Sequence, residues 1–91
     1  MREIRVDCRP IGTPKAFQIY LQYLMNYPEW YGRNLDALHD MLTEESEPFH
    51  MTIVTDDKMT QEMKTYLERV KHVFADVCDE SDSFTFDFIN V

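Results

Sequence analysis

The sequence predicts an α/β fold of two layers, a three-stranded parallel sheet with helices packed mainly on one face. Three observations carry that expectation. Short alternating segments recur at residues 4–8, 49–54 and 84–88, and period-two alternation marks a strand with one buried face. Longer stretches with helical spacing separate them, which suits parallel neighbours, because these need long connections and close by right-handed crossovers. Polar residues Arg5, Asp7, Thr85 and Asp87 interrupt the apolar runs, so one face of the sheet should stay partly open instead of being covered on both sides.

Each element has its own signal. Ile4, Val6 and Cys8 alternate with Arg5 and Asp7, and Arg9-Pro10-Ile11-Gly12 ends the strand. Thr13-Pro14 starts a helix, a capping hydroxyl followed by proline where its missing N–H costs nothing. Ala16, Phe17, Tyr20, Leu21, Leu24 and Met25 form its apolar stripe, and the helix closes near Asn26 because Pro28 follows. A second helix starts at Asn34, a good N-cap, and closes near Thr43. Leu35, Leu38, Met41 and Leu42 are its core stripe, while Asp36, His39, Asp40 and Thr43 share a neighbouring face and none of them is a natural core residue.

The acidic segment Glu44-Glu45-Ser46-Glu47-Pro48 leads to a strand in which Phe49, Met51 and Ile53 alternate with His50 and Thr52. Thr55-Asp56-Asp57 turns the chain. Met59, Met63, Tyr66, Leu67, Val70, Phe74 and Val77 then keep helical spacing up to about Asp79. Glu80 to Ser83 is a polar turn, and Phe84-Thr85-Phe86-Asp87-Phe88 is a strictly alternating strand trailed by Ile89 and Val91.

The 91 residues fit one domain, residues 1–91, with a single core. Hydrophobic residues at 44% and aromatics at 13% argue for a packed globule and against disorder. Nine Lys and Arg against seventeen Asp and Glu give a formal charge of −8, which repels phosphate backbones and anionic membranes. The expected partner is therefore a basic protein, with no direct nucleic-acid or membrane contact. Cys8 and Cys78 sit in apolar segments and read as reduced core thiols. Residues 1–7 are charged throughout and lack the apolar stretch of a signal peptide, so the expected location is cytoplasmic.

Catalysis has little to build on. Asp36, His39 and Asp40 could be drawn as an acid–base pair or as three metal ligands, but a helix face on so short a chain offers no cleft, nucleophile or oxyanion stabiliser. His50 and His72 have no ligand cluster around them, and Gly12 and Gly32 are the only glycines, so no phosphate-cradling loop exists. No enzyme activity, metal or cofactor is expected.

The informative stretch is Pro28-Glu29-Trp30-Tyr31-Gly32-Arg33-Asn34-Leu35-Asp36-Ala37-Leu38-His39-Asp40, an aromatic-rich loop running into the second helix. Gly32 allows the chain to turn where a side chain would obstruct it. Asp36 near the helix start is explained by the macrodipole, whereas Asp40 in mid-helix has poor propensity and no capping role. Trp30 and Tyr31 are either interface anchors or a small core under the loop.

From Glu29 to Asp40 this stretch resembles the signature of the barstar-like family, intracellular inhibitors of barnase-type ribonucleases: an aromatic pair, Gly, one variable residue, Asn-Leu-Asp-Ala-Leu, one more residue and Asp. The order of elements fits that family over nearly the whole chain, and the family's fold is the one predicted above. The resemblance implies that the second helix and its loop plug the active site of a basic ribonuclease. Asp40 would then be the central anion, with Asp36, Asn34, Gly32 and Thr43 beside it. Trp30 would stand where the family usually has a tyrosine, and Asp76 would make a peripheral acidic contact, with Glu80 one turn beyond it.

Two departures bear on specificity. His39 replaces a tryptophan of the family's type member with an imidazole, the side chain whose charge changes nearest neutral pH. Glu44 and Glu45 replace a Gly-Trp pair, making that rim more acidic and less aromatic. The alternative is a non-catalytic immunity or adaptor module of the same fold, bound to a different basic protein. The free chain is expected to be a monomer.

Overall fold

The computed structural model describes residues 2–91 and orders the elements as β1 (Arg2–Asp7), α1 (Pro14–Met25), α2 (Leu35–Glu44), β2 (Phe49–Thr55), α3 (Gln61–Glu80) and β3 (Phe84–Asn90). Met1, read above as part of the charged N-terminal stretch, lies outside the described residues. The strands form one sheet in the order β1-β2-β3, and both pairs are parallel. Each crossover thus moves the chain one strand in the same direction. Right-handed crossovers of that kind put every helix on one face.

The register shows the two faces. Ile4, Met51 and Phe86 form one row and Val6, Ile53 and Phe88 the next, both turned toward the helices. Phe74 of α3 meets Phe84 and Phe86 edge-on at 5.2 and 5.4 Å between centroids. The opposite rows are Glu3, His50 and Thr85, then Arg5, Thr52 and Asp87. There the His50 ring lies 2.7 Å from Thr85 Oγ1 and 3.1 Å from Asp87 Oδ1. Hydrogen bonds from Thr52 and His50 hold the Asp87 carboxyl below its ordinary range. The partly open polar face expected from the alternation is present.

Helix ends follow their caps. Thr13, Asn34 and Thr60 each accept a backbone N–H of the first turn through the side chain. α1 stops at Asn26, whose left-handed backbone (φ 54°) lets its N–H bond back to the last turn. The buried face of α1 differs from the one predicted. Phe17, Gln18, Leu21 and Met25 are buried, Tyr20 and Leu24 are half-buried, and Ala16 is exposed. The buried face gains Gln18, which hydrophobic spacing does not count, and leaves out Ala16, while the rest of the predicted stripe packs on the core.

Boundaries differ modestly elsewhere. α2 continues through Glu44 and α3 through Glu80, both assigned above to connections, and Met59 is buried ahead of the Thr60 cap instead of within the helix. Cys8 and Cys78 are free thiols. Burial pushes the Cys8 thiol up to about 12, and the Cys78 thiol donates to the carbonyl of Phe84 at 3.3 Å. Among the described residues no helix is long and apolar enough to cross a membrane.

Candidate functional site

α2 is anchored by Leu38 and Leu42, both fully buried, with Leu35 and Met41 half-buried beside them. That anchoring turns Asp36, Asp40 and Glu44 outward, at i, i+4 and i+8 along one side of the helix. The Asp40 side chain is 77% exposed. Among the described residues none of the three lies in an ion pair with lysine or arginine; Asp40 has only the His39 ring, at 3.6 Å. Like charges four residues apart repel by about 0.2 to 0.5 kcal/mol per pair. Glu44 also faces the negative end of the helix dipole, in a last turn without a basic residue. Asp36, in the first turn, is favoured by the dipole, so the cost to the helix comes from Asp40 and Glu44.

His39 joins this face to α3. Its Nε2 lies 2.8 Å from Glu80 Oε2 at the C-terminus of α3. Asp76, exposed and one turn before Glu80, falls on the same side of α3. Two carboxylates of α3 thus flank the α2 row. Thr43 is less available than predicted, because its hydroxyl donates to the carbonyls of His39 and Asp40 at 3.0 Å each. Glu45 is drawn away to Arg2 on β1, 3.3 Å distant. The acidic rim expected from Glu44 and Glu45 is therefore Glu44 alone.

The loop before α2 divides its aromatic pair. Tyr31 is buried at 4% exposure, its ring 4.9 Å from that of Tyr27, while Trp30 is 76% exposed. The two readings offered for this pair each fit one member. Gly32 sits under the cap: a Cβ there would lie 3.2 Å from Asn34 Nδ2 and 3.3 Å from Ala37 Cβ. Close approach, not a left-handed turn, is what calls for glycine; the left-handed residue is Arg33, at φ 52°. Asn34 accepts the Ala37 N–H at 2.8 Å and donates to the Gly32 carbonyl at 3.2 Å. Trp30, Tyr31, Gly32, Ala37, Asp40, Met41 and Glu44 enclose a shallow hollow of 220 Å³. A flat cationic or aromatic side chain of a partner would fit there, between an indole and two carboxylates.

Trp30, Gly32, Asn34, Asp36, His39, Asp40, Thr43, Glu44 and Asp76 thus lie on the α2 face, its loop and the adjoining flank of α3. Sequence reasoning placed Glu80 one turn beyond Asp76 but gave it no contact, and it ended α3 one residue early. It also passed over Gln18, Gln22 and Arg33, which hold the loop from below. A glutamine beside Phe17 and Leu21 on an otherwise apolar stripe was the available signal. Among the described residues no group of three potential metal ligands comes together.

Fold and site together define a class, small α/β proteins that present an anionic helix and loop to solvent. The family follows from comparison with known proteins. A family model described as "Barstar (barnase inhibitor)" matches residues 1–90, and the chain belongs to that family, whose members are inhibitors and not enzymes. In Bacillus subtilis (strain 168), a protein named "Putative ribonuclease inhibitor YrdF" is 42% identical over 43 residues. The match spans 47% of this chain and 47% of that relative, about half the length of each.

Proposed function

We propose that this chain is a protein inhibitor of a barnase-like ribonuclease of the basic, extracellular type, acting from the cytoplasm as a monomer. The observation that carries the reading is the row Asp36, Asp40 and Glu44, which lacks lysine or arginine partners among the described residues. Asp40 and Glu44 are held where they destabilise their own helix, which a cationic cleft would offset, and local rules tend to be broken at functional sites. Family membership supplies the kind of target.

Occlusion needs no chemistry from the inhibitor. Asp40, central and exposed, enters the basic cleft where a substrate phosphate would bind. Asp36 and Glu44 extend the contact along the helix, Asp76 and Glu80 add a peripheral anionic edge, and Trp30 caps the loop side. A second reading, a different basic target on the same scaffold, draws on the His39–Glu80 contact of 2.8 Å, which alters one edge of the face.

Titrating barnase activity with this protein and with its Asp40→Ala variant tests the reading. Stoichiometric inhibition is expected from the parent chain. The variant is expected to lose about 2 to 5 kcal/mol of binding, at least ~30-fold in affinity, by leaving partner cations buried and unpaired. That range is the general one for truncating one partner of a buried, hydrogen-bonded charge pair; close charge pairs of the barnase–barstar complex couple by about 1.5 to 7 kcal/mol. A folded parent chain that leaves barnase and related ribonucleases fully active would move the target elsewhere.

A further inference from the structure

Gln18 and Gln22 stand one turn apart on α1, and both side-chain amides are committed to the loop between Tyr27 and Asn34. Gln22 spans the loop. Its Nε2 donates to the Pro28 carbonyl at 2.8 Å, and its Oε1 accepts from Arg33 Nε, also at 2.8 Å. Gln18 holds the middle: its Oε1 accepts the Tyr31 hydroxyl, and its Nε2 donates to the Tyr66 hydroxyl on α3 at 2.7 Å. Gln18 is 1% exposed and is the buried polar residue of the described core. A buried amide is tolerated only when its donors and acceptors are satisfied, and here the partners that satisfy it are the loop and α3.

The loop needs such support. Asn26 and Arg33 frame it at φ 54° and 52°, left-handed conformations that disfavour side chains, and neither is glycine. Between them only one backbone bond closes the loop on itself, from the Tyr31 N–H to the Pro28 carbonyl at 3.0 Å. A segment of this kind would be mobile if left to its own backbone. Three side-chain bonds from two glutamines fix it instead, and a fourth ties Gln18 to α3. Trp30 adjoins Tyr31 in the chain, so anchoring the tyrosine below holds the indole above, at the edge of the hollow beside Asp40.

We propose that Gln18 and Gln22 are positioning residues that set the Tyr27–Asn34 loop in its partner-binding conformation before encounter. The proposal rests on the inhibitor reading above. Binding to a loop already ordered avoids the entropy of ordering it at the interface, so the apparent Kd is not raised by division by a small competent fraction. Neither glutamine touches the partner.

The test uses Gln22→Met, which keeps side-chain volume and removes both bonds, with Gln22→Glu, which keeps the acceptor for Arg33 and loses the donor to Pro28. In the free protein, amide exchange at Tyr31 is expected to rise about tenfold in Gln22→Met. The anisotropy of Trp30, the only tryptophan, should fall, while the amides of Val70 and Phe74 in α3 keep their protection. Against barnase, affinity is expected to fall by the same factor, mostly in the association rate, and Gln22→Glu should recover part of it. Tyr31 exchange and Trp30 anisotropy equal to those of the parent overturn the proposal. So does a loosened loop with unchanged affinity. A parent chain that fails to bind barnase would overturn the inhibitor reading, while the free-protein data still decide whether the glutamines hold the loop.

Discussion

His39 sits where two helices meet, and its ring lies beside two carboxylates, Glu80 at 2.8 Å on α3 and Asp40 at 3.6 Å on its own helix. The imidazole thus ties α2 to the end of α3 at the edge of the proposed contact face. His39→Ala removes that tie, so inhibition of barnase should weaken more for His39→Ala than for His39→Gln, which keeps a polar side chain; equal inhibition by the two variants and the parent would remove His39 from that role. Departure from the family pattern marks this residue in the sequence, and Glu80 is marked only as one turn beyond Asp76, with nothing to pair it with His39 across two helices. Trp30 and Tyr31 pose the same difficulty: adjacent rings in a loop have no period to say which is buried. The tertiary environment decides, through Gln18 below and open solvent above.

Element identity was legible because the periods are strong. Strands alternating Phe84, Phe86 and Phe88 against Thr85 and Asp87, and a helix repeating Met63, Leu67, Val70, Phe74 and Val77, leave little room for another reading. The α1 face was misjudged because Gln18 and Ala16 exchange the roles that hydrophobicity assigns them: a satisfied amide is buried and a methyl is left in solvent. α2 shows how a short helix is kept in place despite its charge. Ten residues with three outward carboxylates form a poor isolated helix, so its start depends on the Asn34 cap and its length on Leu38 and Leu42. Asn34→Ala removes the acceptor for the Ala37 N–H and should cost about 1 kcal/mol of folding stability. Chemical denaturation checks this. A loss under ~0.3 kcal/mol would mean that packing alone defines the helix start, well below the usual range for a lost cap.

At the scale of the molecule the charge is sorted as well as large. The helical layer carries Asp36, Asp40, Glu44, Asp76 and Glu80 around one edge, with Lys15, Arg33 and Arg69 grouped beside Asp36, while the open sheet face sets Arg5 among Glu3 and Asp87. A net charge of −8 alone would attract a basic protein to any side. The sorted arrangement favours approach by the α2 edge, the face proposed above to meet the partner, and such steering acts on the association rate. The screening length shrinks from about 30 Å at 0.01 M salt to about 8 Å at 0.15 M, shorter than the 35 Å long axis of the molecule. Association with barnase should therefore slow about tenfold or more across that range, with dissociation changing much less. Two neutralising variants separate sorting from total charge. Asp76→Asn and Glu3→Gln each remove one carboxylate, but only Asp76 lies beside the α2 face, so stopped-flow association should slow for Asp76→Asn and stay near the parent rate for Glu3→Gln. Equal slowing by both would mean that net charge does the steering and the arrangement on α2 and α3 does not.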